Sequence, residues 1–494
     1  MHVIEKILTL LLLPLVLPAA DFNRDGDIKE ASPAVQFSAI LDSLISRPFL
    51  RHAHVGAAVY LPDSQKFVYR NNADKAFLPA STMKLFTTAT ALQTLGPDFR
   101  FQTRIFMRGR SADGVFTGDM IIRGDGDPTL TWYEGFPDSA GLNRFAAHLK
   151  RQGIREISGR LIGDDNVFDE QSLGWGWGWE NEFNPYSAPI GGLTINRNCV
   201  SVVVTPGKAV GEPCAVRLVP PIRNGVIENR CITVADSERA GFNIERTRGS
   251  ERLVLVGRLP IGYGAEQRTV PVINPTLYTL QDLRCAHERS GIKVNSDLYD
   301  IDELAGYTYP LYAPVFSHNS EPLAVIVRDI NKNSNNLAAE SLLKALGYAV
   351  YGTGSAESGV QAIEAWCKRN NIPMEGMAIV DGSGLSRKSA VTPAAFVHLL
   401  SVMRNDSAFY DSLPIAGKDG TLAHRMNDAL CRGRIRAKTG MLEGVFALSG
   451  YAESRTGQEL IFCITINQAP SARGRVYELM NQFCRQLIMQ NVFQ

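Results

Sequence analysis

Leu85, Ala89, Leu92 and Leu95 recur at helical spacing until Gly96-Pro97 stops the pattern, which predicts a helix opened by Pro79-Ala80-Ser81-Thr82-Met83-Lys84. Two later stretches share this period: Ala338 to Leu346, with Gly347 expected to end it, and a closing amphipathic run carrying Val476, Leu479, Met480, Phe483 and Leu487. Strand-like stretches come in pairs near both chain ends. Val55 to Leu61 and Lys66 to Tyr69 flank Pro62-Asp63-Ser64, and Gly444 to Tyr451 is followed by Glu459 to Asn467. Strands from both ends with helices between them predict one antiparallel sheet with helical cover, an α+β arrangement.

From about Arg100 to Pro314 the pattern changes to short β-like runs separated by Gly and Pro: Met120 to Arg123, Leu161 to Gly163, Cys199 to Val204 and Leu253 to Val256. A β-rich insertion, 101–314, is therefore expected inside a domain made of 34–100 and 315–494. A chain of 494 residues has room for about three domains.

Ile7 to Ala20 is an apolar run bounded by Lys6 and by Asp21-Phe22-Asn23-Arg24-Asp25. It is too short to span a bilayer and ends in small residues, so 1–20 reads as a secretory signal peptide and the chain as exported, to the periplasm or cell envelope, with no membrane anchor after its removal. Asp21 to Asp27 matches the first half of a calcium loop. Position twelve is Ser32 instead of a bidentate glutamate, so 21–33 reads as a polar linker. With 51 Lys plus Arg against 50 Asp plus Glu, the net charge of +1 offers nothing to nucleic acid. The eight cysteines form no CxxC and are too dispersed for a zinc site or a disulfide scaffold.

Candidate chemistry begins at Ser81. At the first turn of a helix its hydroxyl lies near free N–H groups and the positive end of the macrodipole, and Lys84, three residues on, shares its helical face. The pair is a candidate nucleophile and base, provided burial lowers the lysine pKa enough to expose a neutral amine. Ser334-Asn335-Asn336 opens the next helical run, and Lys438-Thr439-Gly440 precedes a strand-like one. SxxK, SxN and KTG in this order form the set found in penicillin-binding proteins and class A β-lactamases. Ser81 and Ser334 are more than twice as far apart as Ser334 and Lys438, which again places a large insertion between the first two motifs.

Beyond the three motifs the chain resembles the class C low-molecular-mass penicillin-binding proteins, the D-alanyl-D-alanine carboxypeptidase/endopeptidase family of serine peptidases. The likeness runs from about Val55 to the C-terminus. It is carried by Phe77 to Lys84, Gly124 to Leu130, Tyr186-Ser187-Ala188-Pro189 with Asn196-Arg197-Asn198, Asp381 to Ser386 and Gly417 to Leu422. The resemblance implies a penicillin-binding/β-lactamase-like fold with two nested insertions. It also implies hydrolysis of D-Ala-D-Ala, and of D-Ala-diamino acid cross-links, in peptidoglycan stem peptides, with β-lactams as covalent inhibitors. Ser81 would attack, Lys84 accept its proton, N–H groups of Ser81 and Met441 hold the oxyanion, and Ser334, bridging Lys84 and Lys438, pass the proton to the leaving amine. Asn336 would hold the substrate amide, and Lys438 with Thr439, Gly440 and Met441 the terminal carboxylate.

In relatives an aspartate after the Gly-Trp stretch binds the amine of the diamino acid; here Asn181 takes the matching place, flanked by Glu180 and Glu182. Neither a metal nor an organic cofactor is needed for this chemistry. A serine β-lactamase and a penicillin-binding module without turnover are the competing readings; the long insertion argues against the first and the complete triad against the second. Gly124 to Asp127 lacks the third glycine of a dinucleotide loop, and Gly382-Ser383-Gly384 is not a nucleophile elbow. Trp175, Trp177 and Trp179, alternating with glycines, read either as a packed loop or as a wall for a sugar or peptide.

Overall fold

The computed structural model describes residues 33–130, 140–220, 226–470 and 473–490. The apolar leader and the Asp21 to Asp27 stretch lie outside the described residues. The strand pairs from the two chain ends join into one antiparallel sheet in the order Ile435–Leu442, Val445–Glu453, Glu459–Asn467, His54–Leu61, Lys66–Asn71. Its inner strands are apolar without alternation because both faces are covered: His54–Leu61 and Glu459–Asn467 are buried along nearly their whole length. On one face, helices Pro33–Ile45 and Arg473–Met489 bring Phe37, Leu41, Leu479 and Phe483 into a shared core. On the other, helices Lys84–Leu95, Leu323–Asn333, Asn336–Tyr351 and Pro393–Met403 close a second core around Phe86, Ile330, Leu343 and Phe396. Each such fully buried side chain contributes about 1.5–3 kcal/mol.

Gly347 does not end its helix, which continues to Tyr351 and stops at Gly352 with φ 74°. A Cβ on Gly347 would lie 2.7 Å from the backbone nitrogen of Gly359, in the neighbouring helix Ala356–Arg369. The glycine marks a close helix crossing, which a sequence pattern cannot distinguish from a terminator.

The chain leaves this body after Phe101 and returns at Ser320, and the two crossing segments are tied together: Phe101 N–H donates to Ser320 Oγ at 3.0 Å and Ser320 N–H to the Phe101 carbonyl at 2.9 Å. Between them stands a second five-stranded sheet, ordered Lys293–Asp300, Glu156–Asp164, Val115–Gly124, Gln102–Ala112, Phe316–Asn319, parallel in its first three strands and antiparallel in the rest. Two three-stranded sheets, built from Cys199–Thr205 with Ala215–Val219 and Glu266–Pro271, and from Ile227–Val234 with Gly241–Arg246 and Leu253–Pro260, interrupt it in turn. The stretch is not purely β: helices Ala140–Arg151 and Pro275–Arg289 pack Phe145, Leu149, Leu280 and Leu283 into its core. Parallel neighbours need long crossover connections, so the parallel part of the sheet brings helices with it.

Candidate active site

Ser81 lies in a short 3-10 turn, Ala80–Met83, that runs directly into helix Lys84–Leu95. Ala80 before it has φ 47°, a conformation that a residue with a Cβ seldom adopts. Two glycines allow this turn to be held from opposite sides. A Cβ on Gly384 would lie 1.8 Å from the Ala80 carbonyl oxygen, and one on Gly440 would lie 2.7 Å from that of Pro79. The strand Ile435–Leu442 therefore lies against the Ser81 turn, bringing Lys438-Thr439-Gly440 alongside the nucleophile candidate.

Lys84 is completely buried, and its Nζ lies within hydrogen-bond reach of three oxygens: Ser81 Oγ at 3.0 Å, Asn336 Oδ1 at 2.6 Å and the Ser383 carbonyl at 2.7 Å. Burial pulls its pKa down to about 7, against the opposing pull of the Glu340 and Asp381 carboxylates. The partner set suits a neutral amine. Two carbonyl oxygens accept its two N–H bonds, and the remaining lone pair faces a hydroxyl that can donate.

Ser334 closes helix Leu323–Asn333 in a left-handed conformation, φ 58°, and Asn335 caps the next helix by accepting the Ala338 N–H at 3.1 Å. This turn aims Ser334 Oγ at Lys438 Nζ, 3.0 Å away, and Asn336 at Lys84. Lys438 is fully buried too and also donates to the Thr439 carbonyl at 2.9 Å; burial, with Lys84 nearby, holds its pKa well below that of an ordinary lysine. Of the two lysines, Ser334 is hydrogen-bonded to Lys438, while Lys84 is engaged with the three oxygens already described. Thr439 Oγ1 donates to Thr421 Oγ1 at 2.8 Å, whereas Met441 points outward and its sulfur accepts the Tyr477 hydroxyl at 3.0 Å.

The Gly-Trp stretch forms one wall of the cleft. Trp177 turns inward and donates its indole N–H to Asp381 at 3.2 Å, while Trp175 and Trp179 remain exposed. Asn336 Nδ2 donates to the Tyr186 carbonyl at 2.8 Å, which couples the wall to the site. Glu180, Asn181 and Glu182 are near but differently engaged. Asn181 accepts the Tyr186 hydroxyl at 2.9 Å, Glu182 is paired with Arg248 at 2.9 Å, and Glu180 is exposed without an ion pair among the described residues. A cavity of about 340 Å³ opens beside them, lined by Trp175, Trp177, Glu182, Ser187, Arg248 and Lys388.

With this geometry in place, comparison with known proteins is decisive: residues 37–487 match the D-Ala-D-Ala carboxypeptidase 3 (S13) family. The chain belongs to that family. It is 31% identical over 486 residues to a D-alanyl-D-alanine carboxypeptidase of an Actinomadura species, covering 93% of this chain and 86% of the relative. It is 27% identical over 441 residues to the D-alanyl-D-alanine carboxypeptidase DacB of Haemophilus influenzae, covering 87% and 89%. The crystal structure of penicillin binding protein 4 (dacB) from Haemophilus influenzae superposes with a TM-score of 0.76 at 24% identity over 90% of this chain and 98% of that one. The fold is thus α+β and penicillin-binding/β-lactamase-like, with additional β-sheets, as this S13 family member's own architecture displays.

Two further residues stand around Lys84: Glu340, which no quoted motif contains, and Ser383, from the Asp381 to Ser386 stretch. Glu340 is buried beneath Lys84 and accepts the N–H groups of Gly382 and Ser383, at 3.0 and 2.8 Å. Burial first, and then the neighbouring Asp381, raise its pKa to about 7. Ser383, excluded as a nucleophile, contributes its backbone carbonyl instead. A signal existed for Glu340: it follows Asn336 by four residues on a helix, so both face the same side.

Proposed function

We propose that the chain hydrolyses D-alanyl-D-alanine bonds, and D-Ala-diamino acid cross-links, in peptidoglycan stem peptides through an acyl-enzyme on Ser81. The observation that carries this reading is the solvent-free amine of Lys84, set 3.0 Å from Ser81 Oγ and facing two carbonyl acceptors. Lys84 Nζ takes the hydroxyl proton as Ser81 Oγ bonds to the carbonyl carbon of the penultimate D-alanine. The tetrahedral oxyanion is received by the backbone N–H groups of Ser81 and Met441. The proton that Lys84 took is delivered through Ser334, held by Lys438, to the leaving amine as the C–N bond breaks, which leaves Lys84 neutral again, and Asn336 orients the substrate amide. Water, deprotonated by Lys84, then cleaves the ester and restores the serine. Lys438 and Thr439, with the Gly440-Met441 backbone, meet the terminal carboxylate.

Of the three residues on the wall, Glu180 is the carboxylate free to meet the diamino acid amine, since Glu182 is engaged with Arg248 and Asn181 with Tyr186. Residues 101–314 act as an inserted unit, a division supported by the paired segments at Phe101 and Ser320. A β-lactam would acylate the same serine; the Haemophilus influenzae homologue has been crystallised with a β-lactam. The substrate and the apolar leader both favour export to the cell envelope, and no helix among the described residues is long and apolar enough to cross a membrane. Labelled penicillin followed by peptide mass spectrometry tests the reading. The adduct belongs on the Ser81 peptide; its absence there would remove the mechanism, and rapid release of hydrolysed drug would instead indicate a β-lactamase.

A further inference from the structure

We propose that Glu340 is a positioning residue for the proton acceptor: its carboxylate fixes the Gly382-Ser383 backbone so that the Ser383 carbonyl orients the Lys84 amine toward Ser81. The inference rests on the reading of Lys84 as base. Both carboxylate oxygens are engaged, one with the Gly382 N–H at 3.0 Å and the other with the Ser383 N–H at 2.8 Å. The same backbone is held from the opposite direction, because Thr87 Oγ1 donates to the Gly382 carbonyl at 2.8 Å. Its freedom is limited further where the chain turns away. Asp381 accepts the N–H groups of Ser386 at 2.7 Å and Gly384 at 3.2 Å, and Gly384 packs on the Ala80 carbonyl that precedes the nucleophile. The Ser383 carbonyl, 2.7 Å from Lys84 Nζ, is thus clamped on both sides.

An acceptor that cannot swing removes one N–H of the amine from competition and leaves the lone pair directed at Ser81 Oγ. The charged groups around this point are few. Asp381 on the following loop and Lys84 on the nucleophile helix face Glu340, and Lys438 on the edge strand faces Lys84. Glu340 is accordingly also a source of negative potential that favours the protonated amine.

Glu340→Gln tests this with little change in volume. The amide can accept one N–H, but its own NH2 group must then face the other donor. The acylation rate by penicillin, counted per site that is eventually labelled, should fall about ten- to a hundredfold, the scale of a small misplacement of a catalytic group. The acid limb of the rate profile should move to lower pH, because losing a nearby anion lowers the proton affinity of Lys84. Glu340→Asp restores the charge without the reach, so it should return the acid limb to its wild-type position while the rate stays low. It also serves if the Gln variant fails to fold, as judged by thermal denaturation. In a Lys84→Ala background Glu340→Gln should cost nothing more. The proposal is overturned if the per-site rate of a folded variant stays within about twofold of wild type. It also falls if the same cost persists without Lys84. A wild-type protein that forms no Ser81 adduct would instead overturn the reading of the site itself.

Discussion

Two lysines are withdrawn from water in different regions of this molecule, and their neighbours differ. Lys84 lies on the floor of the cleft against two carbonyls and a hydroxyl. Lys344 lies at the seam between helix Asn336–Tyr351 and the inserted part, only 2% exposed, with Nζ 2.5 Å from Asp169 and over the ring of Phe168. Both amines are buried, but only at the seam does a carboxylate touch the amine directly. The contrast separates the proposed base from an anchor. Burial alone does not make a lysine reactive; Lys84 combines it with the lack of a contacting anion and a place beside Ser81 Oγ.

The largest effects should come from the cleft. Ser81→Ala should abolish acylation, and Lys84→Ala should lower it about 10²–10⁴-fold, the usual contribution of a general base. Because the two groups share one proton, the double variant should retain the same residual activity as Ser81→Ala; additive losses in steady-state rates would break the pairing. Wild-type kcat/KM should fall on the acid side with a midpoint near the Lys84 value of about 7, as the amine becomes protonated. Stability follows with a defined sign. The folded Lys84 holds its proton less tightly than the unfolded one, so stability should rise with pH from about 7 toward the ordinary lysine value of 10.5. Lys84→Met should reduce that slope in denaturant titrations across the window, leaving the share that Lys438 contributes with the same sign.

At the seam, Lys344→Met should leave the acid limb unmoved and cost stability instead. The loss should be about 1–3 kcal/mol, near the lower end because water already reaches Asp169. A shifted acid limb in that variant would erase the distinction between the two lysines. A smaller effect is expected at Met441, where a hydroxyl could meet the substrate carboxylate. Met441→Thr should raise kcat/KM on carboxylate-bearing peptides about three- to tenfold, less than a full charged hydrogen bond because the position is half exposed, and not on C-terminally amidated ones. The smallest concerns Glu180: Glu180→Gln should slow turnover of diaminopimelate-type peptides about threefold and spare penicillin acylation, with Glu182→Gln weaker still. Equal losses on both substrates would point to the nucleophile rather than to amine binding.

Legibility followed the range of the physics. The helix behind Ser81 and the strands near both chain ends depend on local period, and they lie where that period predicts. Lys438-Thr439-Gly440 was expected before a strand and instead occupies one, since Ile435–Leu442 is an edge strand with one side partly open and so a weak apolar pattern. The two helices of the insertion escaped because short β-like runs dominate that stretch, and Gly347 misled because packing, not termination, requires its missing side chain.

The sequence by itself determined the candidate nucleophile, the spacing that puts Lys84 on its face, the companion motifs and the family likeness, because these reside in residue identity and in periods of a few residues. Only the tertiary structure decided that Lys84 meets no carboxylate directly, that Ser334 turns to Lys438, and that Glu340 and the Ser383 carbonyl stand behind the amine. Desolvation and hydrogen-bond geometry depend on groups brought together from distant positions, such as Lys84 and Asn336, 252 residues apart. No local pattern encodes which carbonyl will occupy the third side of a buried amine.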